Sequence, residues 1–221
     1  ALLLTESAYL RLRVTLAKMD RDLEVLLIDS SGLREVAGFR FHRGCLALGE
    51  RSSATTPSCL VPDACRPIVA LEALSDPDNV GSIFRSAAAF GAKGVLLSPT
   101  CTDPLYRKAI RTSMGATLQL PFLIDSEWPI GLTTIRERGA TLVGLSPDST
   151  AIDLESFVTD SKVGPMVLLF GNEGAGLSRE ALGCCDVCVR IALAESVDSL
   201  NVATSAAIVL QRFGPSPRGV S

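Results

Sequence analysis

The chain has 221 residues, of which 47% are hydrophobic and 20% charged, with a formal net charge of −3. These values exclude a disordered chain and suit one medium domain or two small ones. No apolar run approaches the roughly 20 residues that cross a bilayer, and no secretory signal is visible, so we expect a cytoplasmic location. The chain starts at Ala1, which leaves open an upstream segment.

The seven cysteines are scattered through apolar segments, an odd number that favours reduced thiols. The cluster CCDVC invites a zinc interpretation, but structural zinc takes four Cys or His ligands. The only histidine, His42, lies far away in sequence. We therefore interpret Cys184, Cys185 and Cys188 as buried small apolar residues and expect no metal site.

The order of helical and strand patterns in residues 1–51 predicts a small α/β domain. A helix begins at the capping residue Thr5 and is followed by a strand at EVLLI. A short helix with Ser30 or Ser31 as its N-cap comes next, and then a strand at GCLALGE. Residues 52–67 contain three prolines and several Ser and Thr residues, which indicates a linker.

From Ile68 onward, apolar strands alternate with helical segments. Strands are predicted at 68–74, 94–98, 117–124, 141–145, 166–170 and 187–191. Helices are predicted at 80–91, 103–113, 130–138, 178–183 and 200–213. This alternation predicts an α/β domain over 68–214, in which a parallel sheet is flanked by helices, with 215–221 as a tail. Ligands bind such sheets at the carboxyl ends of the strands.

The stretch LLFGNEGAGLS, residues 168–178, ends a buried strand in an open loop. Its glycines, Gly171, Gly174 and Gly176, have neither the dinucleotide spacing nor the P-loop pattern. Glycine allows a positive φ and lets a ligand lie against bare backbone. The loop is therefore either a ligand-binding wall or a plain left-handed turn.

Two further loops follow predicted strands. After the first strand, Asp78 or Asn79 is expected to cap a helix, and Arg85 lies off that helix's apolar stripe. The stripe comprises Val80, Ile83, Phe84, Ala87, Ala88 and Gly91. Arg85 is either a solvated arginine or one held at a second interface or a substrate phosphate. Before the last helix, Ser199 is the expected N-cap, with Asn201 in the first turn, where free N–H groups meet ligands.

Taken in this order, the three segments resemble the motifs of the SpoU (TrmH-like) branch of the SPOUT RNA 2′-O-ribose methyltransferases. The first motif pairs an asparagine with an arginine six residues later, here Asn79 and Arg85. The second reads G-N-E-G-x-G-[LI], here Gly171 through Leu177.

The third motif of that family, I-P-M-x-G-x-x-x-S-L-N-V, resembles residues 191–202. Ala192 and Glu195 stand where the family usually has Pro and Gly, whereas SLNV is intact. Residues 1–51, notably FHRGCLA, resemble the L30e-like substrate-binding domain that often precedes the methyltransferase domain. The resemblance therefore spans nearly the whole chain.

This resemblance implies a trefoil knot in the C-terminal part, bound S-adenosylmethionine, methyl transfer to a ribose 2′-hydroxyl of structured RNA, and a homodimer. The implied catalytic residues are Asn79, Arg85, Glu173, Ser199 and Asn201. The implied cofactor contacts are Phe170, Gly171, Asn172, Gly174, Gly176, Ile191, Leu193, Leu200 and Asn201.

Methyl transfer requires alignment of oxygen, carbon and sulfur, and a means to stabilise charge as the hydroxyl proton leaves. The domain after residue 67 contains no histidine, which also excludes a Ser-His-Asp hydrolase. A guanidinium, with a pKa above about 12, is a poor base. We therefore interpret Arg85 as a phosphate and alkoxide ligand, with Glu173 or the phosphate accepting the proton.

Two basic clusters are candidates for RNA phosphates, and an ordinary solvated face is the alternative for each. They comprise Arg107, Lys108 and Arg111, and, in the small domain, Arg40 and Arg43. The small domain slightly favours ribosomal RNA over tRNA as the substrate. The alternative function is a non-catalytic RNA-binding module that retains the fold, because Ala192 and Glu195 depart from the donor-binding pattern. A nucleotide-binding α/β enzyme is disfavoured because both phosphate fingerprints are missing.

Overall fold

A computed structural model describes residues 1–19, 23–38, 43–51, 60, 63, 66–160, 164–194, 196–197 and 199–214. The expectations for Arg40, His42, Glu195, most of the 52–67 linker and the 215–221 tail lie outside these residues. The chain divides into two compact units, Ala1–Ser53 and Ala54–Ser221.

The first unit is a three-stranded sheet with two helices. In chain order its elements are β1 (Leu2–Leu4), α1 (Glu6–Leu16), β2 (Val25–Leu27), α2 (Ser30–Ala37) and β3 (Cys45–Ala47). β1 is central, parallel to β2 and antiparallel to β3. The sequence patterns predicted every one of these elements except β1, whose LLL run is too short to show a period.

Thr5 caps α1 as predicted, because its Oγ1 accepts the Ala8 N–H at 3.3 Å. The predicted cap of α2 was wrong. Asp29 is the N-cap, with Oδ1 accepting the Gly32 N–H at 2.8 Å. A carboxylate one residue earlier thus takes the role predicted for the serines, which fall inside the helix.

The second unit is built on a seven-stranded sheet. Its elements are β4 (Ile68–Leu71), α3 (Pro77–Ala89), β5 (Gly94–Leu97), α4 (Arg107–Thr112), β6 (Phe122–Ile124), α5 (Ile130–Glu137), β7 (Thr141–Leu145), β8 (Ile152–Asp153), α6 (Leu154–Asp160), β9 (Met166–Phe170), α7 (Arg179–Cys184), β10 (Val187–Arg190) and α8 (Val202–Phe213). The strand order is β6-β5-β4-β9-β7-β10-β8, and every pairing is parallel. The predicted α/β fold with a parallel sheet flanked by helices is confirmed.

Apolar side chains pack on both faces of this sheet. On one face, β4 and β9 contact α3 and α8 through a cluster that includes Phe84, Phe170 and Leu210. On the other face, residues of the same strands pack with α5 and α7, represented by Leu132 and Ala181. All residues of β4 and β9 are buried. Burial on two faces explains why these strands read as continuous apolar runs.

The predicted strand at 117–124 was wrong over its first half. Gly115 adopts a φ of +84° and opens a 3₁₀ turn over Ala116–Leu118. The N–H groups of Ala116 and Leu118 donate to nearby carbonyls and that of Thr117 to the Ser113 hydroxyl, and the strand begins only at Phe122, after Pro121. The short elements β8 and α6 were not predicted. The two residues of β8 are too few to show the alternating pattern of a strand.

The start of α3 also differs from the prediction. Asp76 is the N-cap and accepts the Asp78 N–H at 2.9 Å, and Pro77 occupies the first turn. Proline suits that position because its fixed φ is helical and its missing N–H is not needed there. Ala88, assigned to the apolar stripe, is exposed, whereas Arg85 lies outside the buried face as predicted.

The three clustered cysteines are half-buried free thiols. Burial raises the pKa of Cys185 to about 12 and also raises the pKa of Cys188. Within the described ranges, no group of three or more His, Cys, Asp or Glu side chains is placed to hold a metal ion. Over the same ranges, the helices are too short or too polar to reach across a membrane.

The packing of α3 against α4 generates a stability prediction. A Cβ at Gly81 would lie 2.6 Å from the carbonyl oxygen of Ala109 and 2.9 Å from Thr112 Cβ. We expect Gly81→Ala to lower the free energy of unfolding by about 2 kcal/mol, because one helix backbone must move. Gly183→Ala is the matched control, since a Cβ in α7 would meet nothing, and it should be neutral or slightly stabilising. Equal denaturant midpoints for the two variants would contradict this packing.

Candidate functional site

The loops after β7, β9 and β10 enclose a cavity of about 530 Å³ at the carboxyl edge of the sheet. The start of α8 completes its wall. The lining comprises Leu145, Ser146, Pro147, Asp148, Phe170, Gly171, Asn172, Glu173, Gly174, Ala175, Gly176, Leu177, Leu182, Ile191, Leu193, Ser199, Leu200, Val202 and Ser205. Parallel strands end at one edge, which brings loops distant in sequence together.

Residues Gly171–Leu177, the glycine loop, fold back on themselves. Asn172 N–H donates to the Gly176 carbonyl at 3.0 Å, and Gly176 N–H donates back at 2.9 Å. A Cβ at Gly171 would overlap the backbone of Gly176 and Leu177, and Gly176 has a φ of +70°. These two glycines are therefore required by the turn itself. A Cβ at Gly174 would make only ordinary contact with Asn172 Oδ1, so the turn does not require glycine at this position.

The side chain of Asn172 is bound within the protein rather than extended into the cavity. Its Oδ1 accepts the N–H groups of Gly174 at 2.8 Å and Ala175 at 3.1 Å, and its Nδ2 donates to the Ala73 carbonyl at 3.0 Å. Asn172 thus holds the glycine loop against the segment that follows β4. The predicted cofactor contact of Asn172 is therefore one that its backbone would make. This contact stays a prediction.

Three polar side chains form a continuous hydrogen-bonded relay, of which Glu173 lines the cavity whereas Asn79 and Asn201 do not. Asn79 Nδ2 donates to Glu173 Oε1, and Asn201 Nδ2 donates to Asn79 Oδ1 at 2.9 Å. Asn201 Oδ1 accepts the N–H groups of Ala203 at 2.9 Å and Thr204 at 3.3 Å. The relay joins the start of α3, the glycine loop and the N-terminus of α8, so it brings together one residue from each motif singled out in the sequence.

The predicted N-cap of α8, Ser199, was wrong. Asn201 is the N-cap, and its side chain satisfies two N–H groups of the first turn. Ser199 and Leu200 lie two residues and one residue earlier and line the cavity. The error arose because serine and asparagine are equally good caps, and the sequence alone does not choose between positions two residues apart.

Among the residues that the structure describes, the charged side chains of the cavity lining are both acidic, Asp148 and Glu173. Hydrogen bonds from the N–H and the hydroxyl of Thr150 lower the pKa of Asp148 and keep it ionised. Asp148 and the rest of the loop after β7 were not among the candidate site residues predicted from the sequence. The signal was available, because 141–145 was predicted as a strand of the same parallel sheet, and its carboxyl end had to reach the same edge.

Arg85 is exposed on α3 and does not belong to the cavity lining. It forms no hydrogen bond or ion pair with any residue that the structure describes. Its predicted role therefore requires a group from outside this set of residues, such as substrate or another subunit.

The basic residues of α4 are also exposed. Lys108 Nζ lies 2.8 Å from Asp78 Oδ2, a contact that lowers the pKa of Asp78 and raises the pKa of Lys108. Arg107 has an interaction of its own, and Arg43 lies in the first unit. Lys108 thus forms an ion pair with the start of α3. The contacts of these basic residues with RNA stay predictions.

The two functions of Asn201 can be separated by substitution. Asn201→Ala removes both the cap of α8 and the donor to Asn79, and we expect it to lower the free energy of unfolding by about 1 to 2 kcal/mol. Asn201→Ser keeps a capping oxygen and loses only the donor, so its loss of unfolding free energy should stay below about 0.5 kcal/mol. Chemical denaturation measures both values, and equal losses would contradict the assignment of Asn201 as the cap.

Comparison with known proteins places this site in a family. Residues 66–211 match the model of the SpoU rRNA Methylase family. An uncharacterised tRNA/rRNA methyltransferase of Mycobacterium bovis is 39% identical over 176 residues, which cover 80% of this chain and 61% of that protein. One from Mycobacterium avium is 34% identical over 206 residues, covering 90% and 65%. The chain thus spans less than two thirds of the length of these curated relatives.

Solved structures share the fold. The SpoU methyltransferase AviRb from Streptomyces viridochromogenes, in complex with the cofactor AdoMet, has a TM-score of 0.77 and 26% identity, covering 96% of this chain and 80% of that one. An AdoMet-bound rRNA methyltransferase from Sinorhizobium meliloti has a TM-score of 0.81 and 27% identity, covering 96% and 78%. Because the family model covers residues 66–211 and the curated relatives are more than 30% identical over most of the chain, the chain belongs to the SpoU rRNA methylase family.

Proposed function

We propose that this protein transfers a methyl group from S-adenosylmethionine to a ribose 2′-hydroxyl in structured RNA. The observation that carries the proposal is the relay of Asn79, Glu173 and Asn201 beside the cavity. The Glu173 carboxylate is held by the Asn79 amide, which Asn201 holds in turn, and it can act as the proton acceptor at a site that lacks histidine. The family and the AdoMet-bound structural relatives support the same assignment.

The cavity suits S-adenosylmethionine in size and charge. Its volume lies within the roughly 300 to 1,000 Å³ of typical small-molecule sites. Apolar side chains and exposed loop backbone offer an adenine site, and the two carboxylates favour a ligand with cationic groups. A phosphate-bearing cofactor fits less well, because the lining carries negative charge. The proposed contacts are Phe170, Gly171, Asn172, Gly174, Gly176, Ile191, Leu193, Leu200 and Asn201.

The chain's own residues would prepare the acceptor hydroxyl. S-adenosylmethionine, when bound, supplies an electrophilic methyl group on a sulfonium sulfur. Asn79 orients Glu173 through its amide N–H, and Asn201 orients Asn79 in turn. Glu173, or the substrate phosphate, would accept the 2′-hydroxyl proton, and Ser199, which lies in the cavity wall, is assigned to the same site.

Arg85 would bind the target phosphate and stabilise the developing alkoxide. Because Arg85 does not line the cavity of its own chain, we assign it to the site of a second subunit in a homodimer. Its exposure and its position outside the buried stripe of α3 support this assignment.

The RNA would be held by the exposed basic residues of α4, with the first unit as an L30e-like substrate-binding domain. The relatives are named for both tRNA and rRNA, and we favour rRNA because of that first unit. A trefoil knot in the C-terminal part belongs to the same proposal and rests on the family. A cytoplasmic location would give the protein access to such RNA.

Calorimetry and methyl transfer together test this function. We expect the chain to bind S-adenosylmethionine and to transfer labelled methyl groups to total RNA as 2′-O-methyl nucleotides. Asn79→Ala should lower kcat by about a hundredfold, because Glu173 loses its orienting donor, with a much smaller change in cofactor affinity. RNA binding without cofactor binding would instead favour a non-catalytic module. Base methylation would refute ribose as the acceptor.

A conservative substitution tests the role of Arg85. Lysine keeps the charge but not the planar two-pronged donor geometry, so Arg85→Lys should lower kcat by about a hundredfold. Its affinity for S-adenosylmethionine should not change. Arg138→Lys, at the exposed end of α5, is the matched control and should keep wild-type turnover. Near-normal turnover of Arg85→Lys would show that fork-shaped recognition is not used.

A further inference from the structure

Glu72, which directly follows β4, is only 7% exposed. Its carboxylate accepts three hydrogen bonds. Oε1 accepts from Trp128 Nε1 at 2.7 Å and from Ser178 Oγ at 2.8 Å, and Oε2 accepts from the Ser178 N–H at 2.8 Å. Charged acceptors form strong hydrogen bonds, and leaving any of these buried donors unpaired costs free energy. Sequence patterns gave no reason to single out this residue.

Glu72 bonds to both ends of the glycine loop. Its backbone N–H donates to the Phe170 carbonyl at 2.9 Å, whereas its carboxylate holds Ser178. Phe170 immediately precedes the glycine loop and Ser178 immediately follows it. One residue therefore fixes the separation of the two ends of the segment that lines the cavity.

We propose that Glu72 is a positioning residue that holds the glycine loop in the conformation that binds S-adenosylmethionine. This proposal rests on the proposed function. Glu72 is not among the residues that line the cavity, so it acts through the loop and not on the reacting atoms. A segment with three glycines loses much conformational entropy when it becomes ordered. Ordering it before the ligand arrives reduces the free-energy cost of binding.

Trp128 gives the same carboxylate a support outside the loop. The indole lies between β6 and α5 and is partly buried against the apolar cluster on the α5 face of the sheet. Through Glu72, the loop end at Ser178 is thus connected to the sheet and to a packed aromatic ring. Ser178 Oγ also accepts the Ala181 N–H at 3.1 Å and so starts α7. The glycine loop is held between two fixed points rather than between free ends.

The test is Glu72→Gln in the full chain, with the dissociation constant for S-adenosylmethionine measured by calorimetry. The amide N–H₂ of glutamine cannot accept a hydrogen bond, so one of the donors is left unpaired. We expect the dissociation constant to rise about tenfold. KM for S-adenosylmethionine should rise with it, while kcat at saturating cofactor stays within about threefold of wild type.

Ser113→Ala is the control for a general loss of stability. Ser113 is 1% exposed and hydrogen-bonded to Ile110 and Thr117 after α4, away from the cavity lining. Ser113→Ala should destabilise the fold and leave the dissociation constant for S-adenosylmethionine unchanged. A merely structural role for Glu72 would make Glu72→Gln behave in the same way as this control, which would overturn the proposal.

Ser178 provides a second pair of variants if Glu72→Gln fails to fold. Ser178→Ala keeps the N–H bond to Glu72 but loses both hydroxyl bonds, to Glu72 and to the Ala181 N–H, so affinity for S-adenosylmethionine should fall about threefold, and Ser178→Thr should restore it. Two outcomes would refute the positioning role and leave the proposed function standing. One is wild-type affinity of Ser178→Ala for S-adenosylmethionine, and the other is a lower kcat with unchanged affinity in Glu72→Gln. Failure of the wild-type chain to bind S-adenosylmethionine would refute the proposed function, and this inference with it.

Discussion

The amide of Asn79 is the contact on which the organisation of the site depends. It donates to Glu173 and accepts from Asn201. A primary amide suits this place because it offers a donor and an acceptor at once. An aspartate at position 79 would face Glu173 with like charge, and a hydrophobic residue would break the relay at its centre. The first turn of α3, the glycine loop and the cap of α8 are therefore fixed relative to one another by one side chain.

The parallel sheet explains why such distant residues meet. β4 and β9 are neighbours, with Leu71 opposite Phe170, so the loops that follow them leave the sheet side by side. Three contacts then join these loops: Glu72 with Ser178, Ala73 with Asn172, and Asn79 with Glu173. The loop after β10 reaches the same edge because β10 lies beside β7. Strand order thus supplies the proximity, and side-chain hydrogen bonds supply the geometry.

Sequence patterns predicted the architecture well because the strands are buried on both faces and the helices are amphipathic. They also identified the glycine loop and the residues of the relay through the family resemblance. The sequence patterns gave wrong positions for several helix caps and for the start of one strand. Asp76, Asp29 and Asn201 each took a cap assigned to a neighbour, because several residues with similar capping strength stood within two positions. The Gly115 turn interrupted what looked like one long strand.

Tertiary contacts account for the remaining differences. Nothing in the sequence around Glu72 signals that its carboxylate meets Trp128 and Ser178, 56 and 106 residues away. Asp148 was overlooked because its loop carries no glycine pattern, although its place at the sheet edge follows from topology. From the sequence, the glycine loop was either a ligand-binding wall or a plain left-handed turn. Gly171 and Gly176 are required by the backbone fold of the loop itself, whereas that fold does not require glycine at position 174.

The most direct test of the account is a crystal structure of this chain with S-adenosylmethionine. The account predicts cofactor density in the cavity between the glycine loop and residues 191–200, with the Asn79 amide still bonded to Glu173 and Asn201. Cofactor bound elsewhere on the protein, or an Asn79 side chain turned away from both partners in the complex, would contradict it.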